Sequence, residues 1–456
     1  MKESFSKNTL LWLVAIGFFM ETLDSTIVNT ALPTMAHDLG VSPLAMQSVV
    51  ISYALTLAVF IPASGWLTDR FGTRRVYLSA ILIFTLGSLF CALAPTLTTL
   101  VLARILQAAG GSMLLPVGRL AVLRAFPGER YLPALSFVTM PALIGPLIGP
   151  TLGGLISETL SWHWIFLVNI PIGILGCFAT YKAMPADDYI RKRSFDFLGF
   201  LQMALFMVCV SLALEGITFN QISHSFGYFL FVFGIAALAA YIIRALKIPN
   251  PLISLKLFET RTFSIGILGN IFSRLGSTSI TFLLPLFMQL CLGLSPLESG
   301  LAMLPIAIAA ILAKRLVSPM VQLLGYKKFL IANTFLVGAS IGSFTFLETS
   351  ETQYLRFILF FLFGIFNSMQ FTAMNTLTMK DLTREVSSHG NTLFSIVQMM
   401  AMSFSVGIAG SLIHALMEER SKIEAFHLTF ICMGALTWTS AWIFFQIGRN
   451  KKLRLD

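Results

Sequence analysis

Fourteen apolar runs, each of about the 20 residues needed to cross the hydrocarbon core of a bilayer, leave this chain only one solvent for most of its side chains, which is lipid. They cover residues 10–33, 47–68, 76–95, 98–125, 132–157, 162–184, 197–217, 225–246, 263–291, 297–322, 328–348, 354–380, 391–417 and 426–448. Inside lipid, backbone polar groups must pair within their own segment, so the runs are expected as helices. The period-two alternation of a membrane barrel is absent. Charge agrees: 56% of the residues are hydrophobic and 11% charged, where soluble domains carry about 25% charged residues. The first run superficially resembles a signal peptide. It carries Glu21 and Asp24, lacks a small-residue cleavage site and continues to Pro33, so it is expected to be a retained span. No loop is long enough for a soluble domain, which puts the function inside the membrane.

An even number of spans places both termini on one side. The terminal segments and the loops on that side hold Lys2, Arg70, Arg74, Arg75, Arg191, Lys192, Arg193, Lys327, Lys328 and Lys451, among others, whereas the opposite loops hold only Arg356, Arg420 and Lys422. The positive-inside rule makes both termini cytoplasmic. The same distribution accounts for the net charge of +10 without nucleic acid, for which there is no basic stripe or binding motif. The five cysteines lie in or at the ends of apolar runs and form no CxxC pair, and the six histidines show no ligand spacing. No metal and no cofactor is expected. No nucleophile elbow or phosphate loop appears, so an enzyme is not expected.

One offset recurs. Gly40, Ser42 and Pro43 match Gly293, Ser295 and Pro296, and Gly72, Arg74 and Arg75 match Gly325, Lys327 and Lys328, each 253 residues on. Leu32-Pro33 matches Leu284-Pro285 one residue out of register. Two copies of a six-helix unit follow, a common architecture in transporters. The first is expected over 1–185 and the second, with the tail, over 261–456, joined by two inserted helices in 186–260. The second copy has lost charge, with Gln322 and Leu323 where the first has Asp69 and Arg70.

Four segments carry a family resemblance. Gly65-Trp-Leu-Thr-Asp-Arg-Phe-Gly-Thr-Arg-Arg75, between spans two and three, resembles the signature loop of the major facilitator superfamily. Gly65 and Gly72 allow close packing and a tight turn, and Asp69, Arg70, Arg74 and Arg75 can form a charged latch. An ordinary positive-inside loop would explain the arginines but not the spaced Gly-Asp-Gly. Gly145-Pro-Leu-Ile-Gly-Pro-Thr-Leu-Gly-Gly154 resembles the antiporter motif of proton-driven drug exporters. There Pro146 and Pro150 remove backbone bonds and are expected to kink the helix, and Gly145, Gly149, Gly153 and Gly154 admit a neighbouring helix. Leu23-Asp-Ser-Thr-Ile-Val-Asn-Thr-Ala-Leu-Pro33 and Trp162-His-Trp-Ile-Phe-Leu-Val-Asn-Ile-Pro171, with fourteen spans, are similar to the drug:proton antiporter subfamily of the EmrB and QacA type. Within it the chain resembles the MdtD-like group of multidrug exporters. The resemblance covers essentially the whole chain and implies an all-α major facilitator fold in the bacterial inner membrane. Three departures are His163 for an arginine, Ala108 for a glycine after Arg104-Ile-Leu-Gln107, and the extra acid Glu21.

Charges deep in lipid cost a few kcal/mol or more and mark pathways. Asp24 is midway along the first span with Glu21 three residues before it. The resemblance places Arg104, of the helix-four motif, beside the first span. Burial and an arginine pull a carboxyl in opposite directions, which suits proton exchange by Asp24 with Arg104 tuning it and Glu21 nearby. The plainer reading is a permanent structural Asp–Arg pair. Since 274 − 253 = 21, the repeat puts Arg274 at the depth of Glu21, and a Glu21–Arg274 pair across the cavity is expected in one state. Asn29, Gln107, Asn169 and Asn367 are candidates for the substrate cavity; amides also hold helices together. Arg119, Arg124, Lys314 and Arg315 are read as snorkelling to the interface. The expected function is proton-driven export of drugs or other small amphipathic molecules by alternating access. The partners are a small-molecule substrate, protons and lipid. A dedicated exporter of an organic anion is the alternative, favoured by Arg104 and Arg274. A membrane receptor or scaffold that transports nothing is a remote third, with no sensor or docking domain to support it.

Overall fold

In the computed structural model the described residues are 2–126, 130–184, 195–218, 224–248, 251–348, 353–382 and 384–448. Among them all regular structure is helical. The first bundle comprises α1 (Lys2–Ile27), α2 (Leu32–Asp38), α3 (Gln47–Phe60), α4 (Ala63–Phe71), α5 (Thr73–Ala92), α6 (Leu97–Ala125), α7 (Tyr131–Thr159), α8 (His163–Leu167) and α9 (Asn169–Ala183). Then come α10 (Phe197–Thr218) and α11 (His224–Ala245). The second bundle comprises α12 (Arg261–Ser277), α13 (Ile280–Leu290), α14 (Pro296–Ala302), α15 (Leu304–Gly342), α16 (Gln353–Met379), α17 (Arg384–Met417) and α18 (Lys422–Phe445).

Among the described residues thirteen helical stretches are apolar and long enough to cross a membrane. One of them, Pro296–Phe346, runs for 51 residues, far more than the roughly 20 of a single crossing. Gly325 divides it, with φ 74° and ψ 155° inside α15, so the spans number fourteen, as expected. The repeat is visible in the backbone. Among the described residues the glycines of positive φ are Gly40 (65°), Gly72 (86°), Gly293 (69°) and Gly325 (74°). They form two pairs separated by 293 − 40 = 325 − 72 = 253 residues. Gly72 at φ 86°, ψ 149° and Gly325 lie in a region open essentially to glycine alone, and both turn the chain between consecutive spans. On the face away from the termini the helix starts are fixed by side chains. Thr96 with Thr99, Ser295 with Glu298 and Ser421 with Glu424 form reciprocal capping boxes at α6, α14 and α18, which satisfy N–H groups that lipid could not.

Packing divides along the membrane normal. On the terminal side each bundle has its own core. One gathers Leu10, Phe18, Tyr77, Phe84, Val117 and neighbours; the other gathers Phe329, Ala373, Leu377, Phe444 and neighbours. A further core on this side joins Ala58 of α3 to Phe206 and Tyr241 of the inserted helices and to Phe263 and Leu393 of the second bundle. Towards the far face a single core takes residues from both bundles, among them Ile27, Met35, Trp162, Phe282, Phe287 and Phe430. Hydrogen bonds between the bundles lie there too. Thr151 Oγ1 donates to the Gly300 carbonyl at 3.1 Å, Leu297 N–H to Glu158 Oε2 at 3.0 Å and Gln289 Nε2 to the Thr30 carbonyl at 2.8 Å. The last satisfies a backbone group freed where α1 stops before α2. The inserted pair is anchored at Asp196, whose Oδ1 accepts from Arg244 Nε at 3.1 Å, Arg244 Nη2 at 3.0 Å and the Gly199 N–H at 2.9 Å. α10 packs against both α3 and α17.

A Cβ at Gly325 would meet no atom within 4 Å, so Gly325→Ala tests the backbone alone. It is expected to destabilise the protein by about 1–3 kcal/mol, read as a lower melting temperature of the purified protein in detergent. Gly342→Ala is the control, because that site is equally open and its backbone is helical. Equal melting temperatures for the two variants would contradict the turn assigned to Gly325.

Candidate functional site

Asp24 lies on α1 one turn before that helix breaks, and its side chain has no exposed surface. A charge there is tolerated only if its lone pairs are satisfied, and three donors converge on it. Arg104 Nη1 donates to Oδ2 at 2.6 Å. Gln107 Nε2 and Asn169 Nδ2 donate to Oδ1 at 2.7 and 3.1 Å. Arg104 and Gln107, three residues apart on α6, share one face of that helix, and Arg104 Nη1 also donates to Gln107 Oε1 at 2.7 Å. A second layer closes the network. Ser88 Oγ on α5 accepts from Gln107 Nε2 at 2.7 Å and Asn169 Nδ2 at 3.3 Å, and Cys91 Sγ donates to Gln107 Oε1 at 3.5 Å. The Arg104 guanidinium lies 3.9 Å from the Tyr53 ring centroid and 5.7 Å from that of Phe166, within cation–π range. Gly87 makes room for this: a Cβ there would overlap the Gln107 backbone, so α5 and α6 can meet at the network.

The structure brings Asp24 and Arg104 together, and it adds Gln107 and Asn169 to them. Those two amides, expected in a substrate cavity, are fully buried and spend their N–H groups on Asp24, since a buried carboxylate with one arginine would keep vacant lone pairs. Asn29 sits in the break between α1 and α2 with its Oδ1 buried and unpartnered. Asn367 is partly exposed on α16. Ser88, Tyr53 and Phe166 went unrecognised. Ser88 and Tyr53 belong to no motif, and Phe166 lies within a quoted motif whose polar residue drew the attention.

Glu21 and Arg274 do not meet. Glu21 is 6% exposed, makes no hydrogen bond among the described residues, and faces Asp24 and Arg119. Arg274 stays within its own bundle. Its Nε donates to Asn270 Oδ1 at 3.3 Å and its guanidinium lies 4.5 Å from the Phe371 centroid. Its Nη2 is buried without a partner. The pair expected from the repeat is absent in this conformation because α16 supplies Arg274 with an aromatic face inside the second bundle.

The glycine-rich segment of α7 works as a zipper. Cβ atoms at Gly145, Gly149 and Gly153 would strike Thr22, Thr26 and the Ile27 carbonyl of α1, and one at Gly154 would strike the Pro296 carbonyl at α14. α7 remains one continuous helix through Pro141, Pro146 and Pro150. Thr30 Oγ1 donates to the Pro150 carbonyl at 2.9 Å, a further tie between this helix and the end of α1. At the terminal side, Gly65 is open, with nothing within 4 Å of a Cβ. Asp69, Arg70, Arg74 and Arg75 make no ion pair among the described residues. Arg74 instead donates from Nη2 to the Tyr181 carbonyl at 2.5 Å and lies over that ring. The charged latch is therefore not closed in this conformation.

Fourteen spans in two repeated bundles, the first built around a buried charge network, define a polytopic transport protein. The chain belongs to the Major Facilitator Superfamily, whose sequence model matches residues 14–407 and 266–452. It is 46% identical over 448 residues to the "Putative multidrug resistance protein MdtD" of Salmonella heidelberg (strain SL476), covering 96% of this chain and 95% of that one. The protein of the same name from Escherichia coli O157:H7 is 45% identical, covering 96% of this chain and 94% of its own. Two solved structures share the fold alone. A mutant of the nucleoside transporter NupG has TM-score 0.67 at 12% identity, covering 96% of this chain and 98% of its own. A POT family transporter in complex with 5-aminolevulinic acid has TM-score 0.70 at 15% identity, covering 96% and 94%.

Removing one partner of a buried ion pair costs about 3–5 kcal/mol, because the other charge is left uncompensated. Arg104→Gln is accordingly expected to lower the melting temperature strongly, and Asp24→Asn with Arg104→Gln to recover most of that loss. A double variant no more stable than Arg104→Gln would show that the two side chains are not energetically coupled.

Proposed function

We propose that this protein is a proton-driven exporter of drugs or other small amphipathic molecules, working by alternating access in the bacterial inner membrane. The observation that carries the reading is the three-donor site at Asp24. A helix contact in lipid needs no ion pair, and buried ionisable groups there mark coupling pathways. Near-full-length similarity to proteins named for multidrug resistance supports the cargo class. The two bundles are taken as 1–185 and 261–456, with 186–260 as an insert beside the transport core. The termini are taken as cytoplasmic, on the positive-inside argument. The core shared by both bundles towards the far face supports reading this conformation as inward-facing, with α3 still joined to the second bundle on the terminal side. Rocking the bundles would part the α7–α14 contact and bring Gly65 and the charged loop against the second bundle.

A second reading, a dedicated exporter of an organic anion, rests now on one residue. Arg104 has a carboxylate partner, whereas Arg274 has none and keeps a buried guanidinium nitrogen unpartnered.

Proton movement in proteoliposomes, challenged with lipophilic cations, neutral drugs and organic anions, separates these readings. Substrate-evoked proton flux is expected in the wild type and should vanish in Asp24→Asn. A response confined to organic anions and lost in Arg274→Gln favours the second reading. Transport without proton movement would sink coupling, and a protein inert to the whole panel in both forms would favour a scaffold.

A further inference from the structure

The two seams between the bundles are counterparts under the repeat, yet they are built differently. The offset of 253 residues carries α3 (Gln47–Phe60) onto 300–313, which ends α14 and begins α15. It carries α7 (Tyr131–Thr159) onto 384–412, inside α17. The seam between α3 and α17 therefore corresponds to the seam between α7 and α15.

The first seam is shut along its depth. Gln47 lies against Gly410 at the far end and Ile51 against Gly407 in the middle. On the terminal side Ala58 shares a core with Leu393 and Val397. The inserted pair braces this seam. Ser411 Oγ of α17 donates to the Leu214 carbonyl of α10 at 3.0 Å, and Ser211 Oγ of α10 lies 3.3 Å from Ser403 Oγ of α17.

The second seam is joined towards the far end, where Gly154 meets Pro296, Gly300 meets Pro150, and Ile148 and Ile306 flank the shared core. Nearer the terminal side the walls part. There α7 sends Ala134 and Val138 into the first bundle's core, and α15 sends Ala313 and Val317 into the second's. No core of the described residues joins the two helices at that level. The stripe of α7 that carries Gly154 and Thr151 continues at helical spacing through Leu147, Ile144 and Met140, and the last two are 45% and 63% exposed. At a like distance from the Gly300 contact, α15 exposes Ile308, Ile311 and Leu312.

The α15 wall is also basic. Lys314 and Arg315 are exposed on it, about 15 Å along the helix from the turn at Gly325, inside the hydrocarbon layer rather than at its edge. They make no ion pair among the described residues, and Arg274 of the same bundle makes none either. The bundle has no carboxylate at membrane depth to give them. Glu298 and Glu424 are held in capping boxes at the far face, and Asp381 lies past the end of α16. Cations within lipid are costly when uncompensated, so three of them in one bundle favour a ligand that brings its own anion.

We propose that cargo enters sideways from the terminal-side leaflet, through the opening between α7 and α15, and that it is an amphiphile with an acidic head group. The apolar stripe of α7 takes its hydrocarbon part, and Lys314 and Arg315 take the head group. The inserted helices close the equivalent route at α3 and α17. The inference rests on the exporter reading and narrows its cargo.

The test is photolabelling of the full chain in phosphatidylcholine liposomes without a proton gradient. One probe is a medium-chain fatty acid with a diazirine on its chain; the other has a trimethylammonium head instead. The acid is expected to label α7 around Met140 and Ile144 and α15 around Ile311, and to spare Ala58 and Val397. Combining Lys314→Gln with Arg315→Gln should lower that labelling about tenfold, as for one lost charge-assisted contact. Lys314→Arg with Arg315→Lys, which keeps both charges, should retain it. Equal labelling by the two probes, labelling unchanged in the Gln variant, or labelling centred on α3 and α17 overturns the inference. Labelling abolished by phosphatidylglycerol added to the liposomes would mark a resident lipid site and overturns it too. Expected labelling in a protein that moves no proton when the acid is added would overturn the proton-driven reading alone.

Discussion

An aspartate and an arginine 2.6 Å apart and sealed from solvent set the terms for the first bundle. Neither charge is tolerable alone in lipid, so every helix around them must deliver a hydrogen-bonding group or an aromatic face to the same point. α1 supplies the carboxylate and α6 the guanidinium and one amide. α9 supplies the other amide, α5 the hydroxyl that holds both amides, and α3 and α8 the rings over the arginine. Interhelical packing in membranes lacks a hydrophobic driving force and depends on close contact and polar bonds. Here the polar bonds are concentrated at one depth and the close contacts, made by glycine, surround it. Gly87 brings α5 onto α6, and Gly145, Gly149 and Gly153 bring α7 onto the same helix that carries Asp24.

The second bundle repeats the backbone without the network. Its turns at Gly293 and Gly325 copy those at Gly40 and Gly72, yet its buried polar centre is uncharged. Asn333 Nδ2 donates to Gln370 Oε1 at 2.9 Å, and Gln370 Nε2 donates to Thr334 at 2.7 Å. Arg274 stands apart from it over Phe371. An ancestral symmetry of folding has thus been kept where sterics demand glycine and lost where chemistry could specialise, which concentrates ionisable side chains in one half.

This division explains what was legible in the chain. Spans, their number and the glycine pairs could be read because each follows from a local rule: twenty apolar residues to cross lipid, and a missing Cβ where φ is positive. The Asp24–Arg104 contact was legible only through resemblance, since 80 residues separate the two and no local rule joins them. Gln107 and Asn169 were singled out as polar residues in lipid, but their task depended on which way α6 and α9 turn. Ser88 had no mark at all, because a serine in a membrane helix ordinarily bonds its own backbone. The Glu21–Arg274 pair is not formed in this conformation for a related reason: a repeat fixes depth, and facing is decided by packing against α16, which the offset does not encode.

The joint between the bundles differs in kind from the bundles themselves. Within each bundle, long helices interlock through side chains. Between them at the far face, the directional links among the described residues include three hydrogen bonds, each using at least one backbone group, and three glycine contacts, Gly154 on Pro296, Gly300 on Pro150 and Gly410 on Gln47. Breaking such a joint frees carbonyls and amides close to the interface, where water can replace the lost partner, so its opening avoids the penalty of orphaning polar groups in lipid. The Asp24 network could not be taken apart on those terms, because its groups lie deep in the first bundle. Motion is therefore cheapest at the seam, and the charge network can travel with its bundle as a unit while access to it changes.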